Sequence, residues 1–127
     1  MEPTQKFNYK AKQLEKAYKR LEDAVSQERN EFVQDSVIQR YEFTFELFWK
    51  VGKFYLEIQG IQVNSPRAVM KSLYEIGVID DVDLFLDMME VRNLSSHIYD
   101  EEKSNEIYDF ITKNYQHLYN AYKNMEI

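Results

Sequence analysis

The chain has no cysteine, and only three glycines and two prolines occur among its 127 residues. Without cysteine it forms neither disulfides nor thiolate metal sites, so the usual zinc and iron–sulfur patterns are excluded. The scarcity of glycine and proline predicts few, long secondary-structure elements. Residues 1–6 lack the apolar core of a signal peptide, and no apolar run is long enough to cross a bilayer. We therefore expect a cytoplasmic protein with no membrane segment.

The chain also lacks an excess of positive charge. Its formal net charge is −6, and acidic and basic residues are mixed along the whole length. Broad capture of nucleic acid needs clustered lysines and arginines that displace counterions, so this charge pattern argues against such capture. A small phosphate site is compatible with this composition. Neither a glycine-rich phosphate loop nor a Gly-x-Ser-x-Gly nucleophile motif occurs.

Glu42 and Glu46 lie one helical turn apart and raise the question of a carboxylate metal site. Di-iron bundles also carry Glu-x-x-His pairs, whereas Leu94 and Asn114 occupy the positions three residues before the two histidines. Glu46 and Lys50 instead have the spacing of an ion pair on a helix surface. We therefore expect this ion pair, no metal ion and no bound cofactor.

Apolar residues recur at alternating steps of three and four, the spacing of helices packed against other helices. The first predicted helix covers residues 5–29, and a short break or bend over 31–35 separates it from a second helix that ends at Gly60. A short helix over 66–76 follows and ends at Gly77. A fourth helix is capped by Asp80 or Asp81, and a fifth runs from Asp100 toward Met125. No segment has the period-two alternation of a strand. The chain is therefore predicted to be all-α: an up-and-down four-helix bundle with an additional short helix, in one domain over residues 1–127.

The second helix carries a stripe of large aromatic residues and one glycine. Tyr41, Phe45 and Phe48 follow the helical period, which is far more typical of core packing than of a base-stacking surface. Gly52 lies on the same stripe. Because glycine has no Cβ, this position lets another helix come close.

One eight-residue segment at the end of the fourth helix concentrates reactive side chains. It runs from Arg92 to Tyr99 and reads Arg-Asn-Leu-Ser-Ser-His-Ile-Tyr. Arginine grips phosphate, histidine moves protons near neutral pH, and tyrosine offers a phenolic oxygen. Arg92, His97 and Tyr99 are therefore the candidate functional residues, with Asn93 and Ser96 as supporting polar groups. The other histidine, His117, has no acidic partner at ligand spacing and is predicted to be a solvated surface residue.

Two interpretations of this segment are open on the residues alone. In the first it is only a helix C-terminus, where Arg92 and His97 face the negative end of the dipole and Tyr99 packs in a turn. In the second it is a site, although five residues place Arg92 and His97 roughly 140° apart on a continuous helix. These two side chains converge if the helix loosens near Ser95-Ser96, if the arginine curls round, or if a second copy supplies the complementary group.

The pattern Arg-Asn-x3-His-x-Tyr resembles the Arg-x4-His-x-Tyr signature of HEPN domains, specifically the HepT-like group, also named nucleotidyltransferase substrate-binding proteins. Further matches follow in the order of that family: Phe43-x2-Glu46-x2-Trp49-Lys50, Ser65-Pro66-Arg67 followed by Gly77, and Asp100-Glu101 after the motif. The resemblance spans about residues 35–112, and with the first and last helices it covers the chain.

This resemblance implies a helical bundle that forms a homodimer and pairs with a separately encoded minimal nucleotidyltransferase in a hetero-oligomer. In toxin members it implies metal-independent RNA cleavage, which the nucleotidyltransferase silences by adding AMP to the motif tyrosine. Carried over to this sequence, Arg92 and His97 are the catalytic pair and Tyr99 is the modified residue. Asn93 matches the polar residue that usually follows the arginine.

The same resemblance leaves a second function open. Family members of this shape are also described as non-catalytic subunits that present a nucleotide or acceptor substrate to the nucleotidyltransferase. Under this alternative Arg92 helps to hold a ligand and His97 performs no chemistry. Both functions imply the same fold and the same partner.

Overall fold

A computed structural model describes residues 1–97 and 100–126. It contains α1 (Pro3–Val25), α2 (Glu31–Ile58), α3 (Pro66–Glu75), α4 (Val82–Ser95), α5 (Glu101–Asn114) and α6 (Gln116–Lys123). These described residues form no strand, and the predicted all-α class is confirmed. α2 is the central helix and packs against α1, α3, α4, α5 and α6.

Polar side chains fix where four of the helices begin. Asn30, Ser65, Asp81 and Asp100 each accept a hydrogen bond from the backbone N–H three residues later, at 2.7–3.2 Å. Such caps satisfy N–H groups that have no partner inside the helix. They confirm the predicted starts of α3 and α5, and they show that Asp81, not Asp80, caps α4.

The predicted break between the first two helices is misplaced. α1 ends at Val25, residues 26–30 form a non-helical connection, and α2 already begins at Glu31. The predicted helix over 5–29 and bend over 31–35 are therefore wrong at this junction. The physical reason is the Asn30 cap, together with Val33 and Gln34, which pack inward from the first turns of α2.

The predicted fifth helix is divided into α5 and α6 at Tyr115. The Leu118 N–H bonds to the Tyr115 carbonyl three residues earlier, which is the tighter pattern of a 3₁₀ turn. The Asn114 side chain also donates to the Phe110 carbonyl at 2.9 Å and competes for an acceptor of the helix. Ile111 and Leu118 are nonetheless fully buried on either side of the junction, so both segments line the same core.

The aromatic stripe of α2 forms the centre of the core, as predicted. Tyr41, Phe45 and Phe48 are essentially inaccessible, and the Phe48 ring lies 5.7 Å from that of Phe85 on α4. A Cβ at Gly52 would lie 3.0 Å from the side chains of two buried α3 residues, Val69 and Leu73. The expected close approach of another helix at Gly52 is thus confirmed, and the helix involved is α3.

Gly60 and Gly77 terminate α2 and α3 with a left-handed backbone. Both have φ of +83°, a conformation that residues with a Cβ rarely adopt. The two predicted stop signals are therefore confirmed. No helix within residues 1–97 and 100–126 combines the length and apolarity of a membrane span.

A tyrosine cluster joins α1 to α5 and α6 at the side of the core. The Tyr18 ring lies 5.7 Å from the ring of Tyr115 and 4.8 Å from that of Tyr119. Tyr122 donates a hydrogen bond to a Glu15 carboxylate oxygen at 2.9 Å. Burial raises the pKa of Tyr18 to about 12, and burial together with the Glu15 hydrogen bond raises the pKa of Tyr122 to about 12.

This cluster predicts a loss of stability in alkaline solution. The phenols of Tyr18 and Tyr122 keep their protons in the folded protein while the unfolded chain releases them from its ordinary pKa of 10.0 upward. Their contribution is complete below pH 10 and is lost as the pH rises toward 12, because the folded state then binds more protons. Denaturant unfolding at several pH values should show this decline, and Tyr122→Phe should make it shallower. An equal decline in the variant contradicts the assignment to Tyr122.

Candidate functional site

The segment that begins at Arg92 coincides with the C-terminal end of α4. The helix ends at Ser95, and His97 lies in the turn that follows. Ser95 Oγ donates to the Arg92 carbonyl at 2.8 Å, and Ser96 Oγ donates to the Asn93 carbonyl at 3.1 Å. The serines thus satisfy carbonyls of the last turn. The helix stops at Ser95, near the place where loosening was one of three ways to bring Arg92 and His97 together.

The Arg92 side chain extends from α4 toward α2, where it forms an ion pair with Glu46. Arg92 Nε lies 3.6 Å from Glu46 Oε2, and Glu46 Oε1 lies 3.6 Å from Lys50 Nζ. The predicted Glu46–Lys50 pair is therefore confirmed. The contact with Arg92 was not predicted, because helical spacing reveals only partners on the same helix.

Tyr41 anchors the turn of α4 that carries Arg92. Its hydroxyl donates to the Met88 carbonyl at 2.6 Å, and the tyrosine is fully buried. Burial raises the pKa of Tyr41 far above its ordinary value, and the positive charge of Arg92 only partly opposes this effect. Tyr41 is thus a neutral hydrogen-bond donor near neutral pH. Met88 lies one helical turn before Arg92.

The remaining residues of the segment face solvent or lie outside the described ranges. Asn93, Ser96 and His97 are exposed. No hydrogen bond or ion pair joins Arg92 to His97 in the described part of the chain. Tyr99, the predicted modification site, lies outside the described residues. His117 is exposed on α6, as predicted.

A polar network beside this segment was not foreseen from the sequence. The buried Gln34 amide donates to Ser104 Oγ at 2.9 Å and to Asn105 Oδ1 at 2.8 Å. Arg29 donates to the Gln34 carbonyl oxygen, and its guanidinium lies 4.2 Å from the centre of the Tyr108 ring. These contacts tie the start of α5 to the start of α2. Polar residues in first turns look like exposed residues in a sequence, so no local pattern revealed them.

An open cleft of about 860 Å³ lies between the first turns of α2 and α5, and its lining includes Arg29, Gln34, Ser104 and Asn105. Five carboxylates face it from Glu31, Asp35, Asp100, Glu101 and Asp109. Its single arginine already pairs with one of these, at 3.1 Å from Asp109. The cleft therefore disfavours a polyanion, so a nucleic-acid strand is not expected to lie along this side of the segment.

The chain matches a known protein family over most of its length. The model of the family described as nucleotidyltransferase substrate binding protein like matches residues 9–126. The chain belongs to this nucleotidyltransferase substrate-binding, HepT-like family. A family relative from Haemophilus influenzae, strain Rd, named "Probable ribonuclease HepT", is 31% identical over an alignment of 112 positions, and the match covers 75% of this chain and 77% of the relative.

Solved structures share the fold of this family member. A crystal structure from Thermus thermophilus has a TM-score of 0.82 at 30% identity and covers 90% of this chain and 99% of its own. A mutant MntA–HpeT toxin–antitoxin structure has a TM-score of 0.71 at 19% identity, covering 94% and 93% of the two chains. A toxin–antitoxin structure with AMP-PNP has a TM-score of 0.67 at 20% identity, covering 94% of each chain. The last two likenesses show the fold alone.

Proposed function

We propose that the protein is a HepT-like endoribonuclease toxin that acts as a homodimer without a metal ion. A separately encoded minimal nucleotidyltransferase pairs with it and silences it by adding AMP to Tyr99. The observation that carries the proposal is the exposed end of α4, with Arg92 and His97, in a chain 31% identical to a relative named a probable ribonuclease. The description of its family as nucleotidyltransferase substrate binding protein like supports the pairing.

Arg92 and His97 have the chemistry that this reaction needs. A neutral imidazole removes the proton of the RNA 2′-hydroxyl, and the oxygen attacks the adjacent phosphorus while the bond to the 5′ oxygen breaks. An imidazolium returns a proton to that leaving oxygen, so the products carry a 2′,3′-cyclic phosphate and a 5′-hydroxyl. The Arg92 guanidinium holds the phosphate and stabilises charge on the pentacoordinate state. RNA supplies its own nucleophile, so no step needs a metal-bound water.

A second copy of the chain supplies the second proton-transfer group in this proposal. The exposed His97 makes no hydrogen bond or ion pair with Arg92 in the described ranges. Two segments that face each other across a two-fold axis bring together two arginines and two histidines, one acting as base and the other as acid. The exposed Leu94 lies between these residues and is suited to apolar contact across such an interface.

Purified protein and RNA test this function directly. The chain is expected to cleave RNA at an undiminished rate in the presence of a chelator, and to arrest growth when it is expressed alone in cells. Loss of cleavage on chelation contradicts metal independence. Complete absence of both effects in the unmodified protein contradicts the ribonuclease itself.

Modification of Tyr99 makes a separate prediction. Co-expression with the cognate nucleotidyltransferase should increase the intact mass of the chain by AMP and abolish its RNA cleavage. The attached nucleotide places negative charge next to Arg92 and His97, where the RNA phosphate binds. Tyr99→Phe should remove the mass increment, whereas Tyr74→Phe, at an exposed tyrosine on α3, serves as the control and should retain it. An increment that persists in Tyr99→Phe rules out this tyrosine as the site.

One observation favours a second candidate, a non-catalytic subunit that presents a nucleotide or acceptor substrate to the nucleotidyltransferase. The cleft beside the segment is acidic, and the chain carries a net charge of −6, which suits a protein or cationic partner better than RNA. In this function Arg92 holds ligand and His97 has no chemical role. A protein that binds the nucleotidyltransferase but cleaves no RNA supports it.

A further inference from the structure

Glu46 bridges two cations that belong to different helices. One carboxylate oxygen lies 3.6 Å from Lys50 Nζ on α2, and the other lies 3.6 Å from Arg92 Nε on α4. Among the described residues, no other carboxylate lies within 4.0 Å of the Arg92 guanidinium. Glu46 is therefore the carboxylate on α2 that lies against the Arg92 guanidinium.

The Nε atom is the part of the Arg92 side chain that the Glu46 carboxylate stabilises most. Nε is buried and has no hydrogen-bond partner, although the side chain as a whole is 29% exposed. A buried N–H without an acceptor is costly, and a nearby carboxylate reduces that cost. The 3.6 Å separation is slightly longer than a hydrogen bond, and such contacts tighten when a ligand completes the site.

The backbone of α4 one turn before Arg92 is also held by α2. Tyr41, on α2, donates its hydroxyl to the Met88 carbonyl, one turn before Arg92. α2 thus fixes the path of α4 through Tyr41 and the guanidinium through Glu46. The terminal amino groups of Arg92 form no hydrogen bond within residues 1–97 and 100–126.

We propose that Glu46 is a positioning residue that holds Arg92 by its Nε edge, so that the terminal amino groups of the guanidinium face the scissile phosphate. This inference rests on the proposed ribonuclease function. Lys50 offsets the negative charge of Glu46, and the three side chains together carry a net charge of +1. Phosphate therefore still meets a positive group, although Glu46 itself repels it.

Replacement of Glu46 by glutamine distinguishes two effects of this carboxylate: its orientation of Arg92, which affects kcat, and its repulsion of phosphate, which affects KM. Glu46→Gln removes the charge that holds Nε and is expected to lower kcat by about 10-fold to 100-fold, because small displacements of a catalytic group are costly. KM should stay unchanged or fall, since a carboxylate that repels phosphate is gone. Glu46→Asp keeps the charge and should restore part of kcat. Single-turnover and steady-state kinetics on RNA in a chelator measure both parameters.

Glu57→Gln is the matched control. It also removes one carboxylate of an ion pair from α2, at 3.9 Å from Lys6, but three turns further along the helix. Its kinetics should equal those of the wild type. Adding Glu46→Gln to Arg92→Ala should cause no further loss, since the group to be positioned is absent. A wild-type kcat in Glu46→Gln, or an undiminished additional loss in the double variant, overturns the proposal.

A second measurement keeps this inference distinct from the proposed function. In the nuclear magnetic resonance spectrum, the Arg92 Nε–H should exchange with water at least tenfold faster in Glu46→Gln than in the wild type or Glu57→Gln. If the wild type cleaves no RNA, the ribonuclease function fails, while this exchange still reports whether Glu46 holds the guanidinium. Equal exchange in all three proteins overturns the positioning role of Glu46.

Discussion

His97→Ala is expected to lower RNA cleavage by about 10²–10⁴-fold, the usual contribution of a general acid or base. His97 is exposed in the turn after α4, so its removal leaves no cavity and the fold should be unchanged. In the proposed homodimer the variant lacks both the base and the acid, because the proposal assigns one of these roles to His97 of each copy. Cleavage of a labelled RNA in a chelator, with circular dichroism to confirm folding, measures the effect.

The chain contains a matched control for this substitution. His117 is the other histidine and is exposed on α6, where it lines a surface pocket together with Phe85 from the first turn of α4. His117→Ala should cleave RNA at the wild-type rate and should arrest growth when expressed alone. Equal activity in His97→Ala and wild type contradicts a chemical role for His97 and favours the substrate-presenting function.

Gly52→Val is expected to destabilise the fold by about 1–3 kcal/mol, the usual cost of overpacking a core. A Cβ alone would lie 3.0 Å from Val69 and Leu73, and both neighbours are fully buried and have little room to move. Valine adds two further methyl groups in the same place. The α2–α3 contact should therefore open, with a lower denaturant midpoint in equilibrium unfolding.

Gln39→Val controls for the helix propensity of the new residue. Gln39 is exposed on the same helix, so valine there has the same β-branched shape but no neighbour to displace. Its unfolding midpoint should remain close to that of the wild type. If Gly52→Val unfolds at the same denaturant concentration as Gln39→Val, α3 does not pack on Gly52 as described.

The parts of the fold that depend on local chemistry could be predicted from the sequence. Ser65, Asp81 and Asp100 act as caps through backbone groups only three residues away, so the helix starts that they set follow from short-range spacing. The apolar period of the helices identified the core and the close approach at Gly52 in the same way.

The features that the sequence missed depend on residues far apart in the chain. Glu46 has a suitable partner one turn away in Lys50, and nothing in its spacing indicated the second partner, Arg92. Gln34 occupies an apparently solvated first turn, yet it is buried because α5 supplies its hydrogen-bond acceptors. Such pairings arise only when the helices pack.

The chemical ends of the cleaved RNA test the proposed reaction most directly. If Arg92 and His97 promote attack by the 2′-hydroxyl, the products will carry a 2′,3′-cyclic phosphate and a 5′-hydroxyl in the presence of a chelator, and a single 2′-deoxy substitution will block cleavage at that position. Products with a 3′-hydroxyl and a 5′-phosphate, or cleavage of the deoxy substrate, would contradict this mechanism.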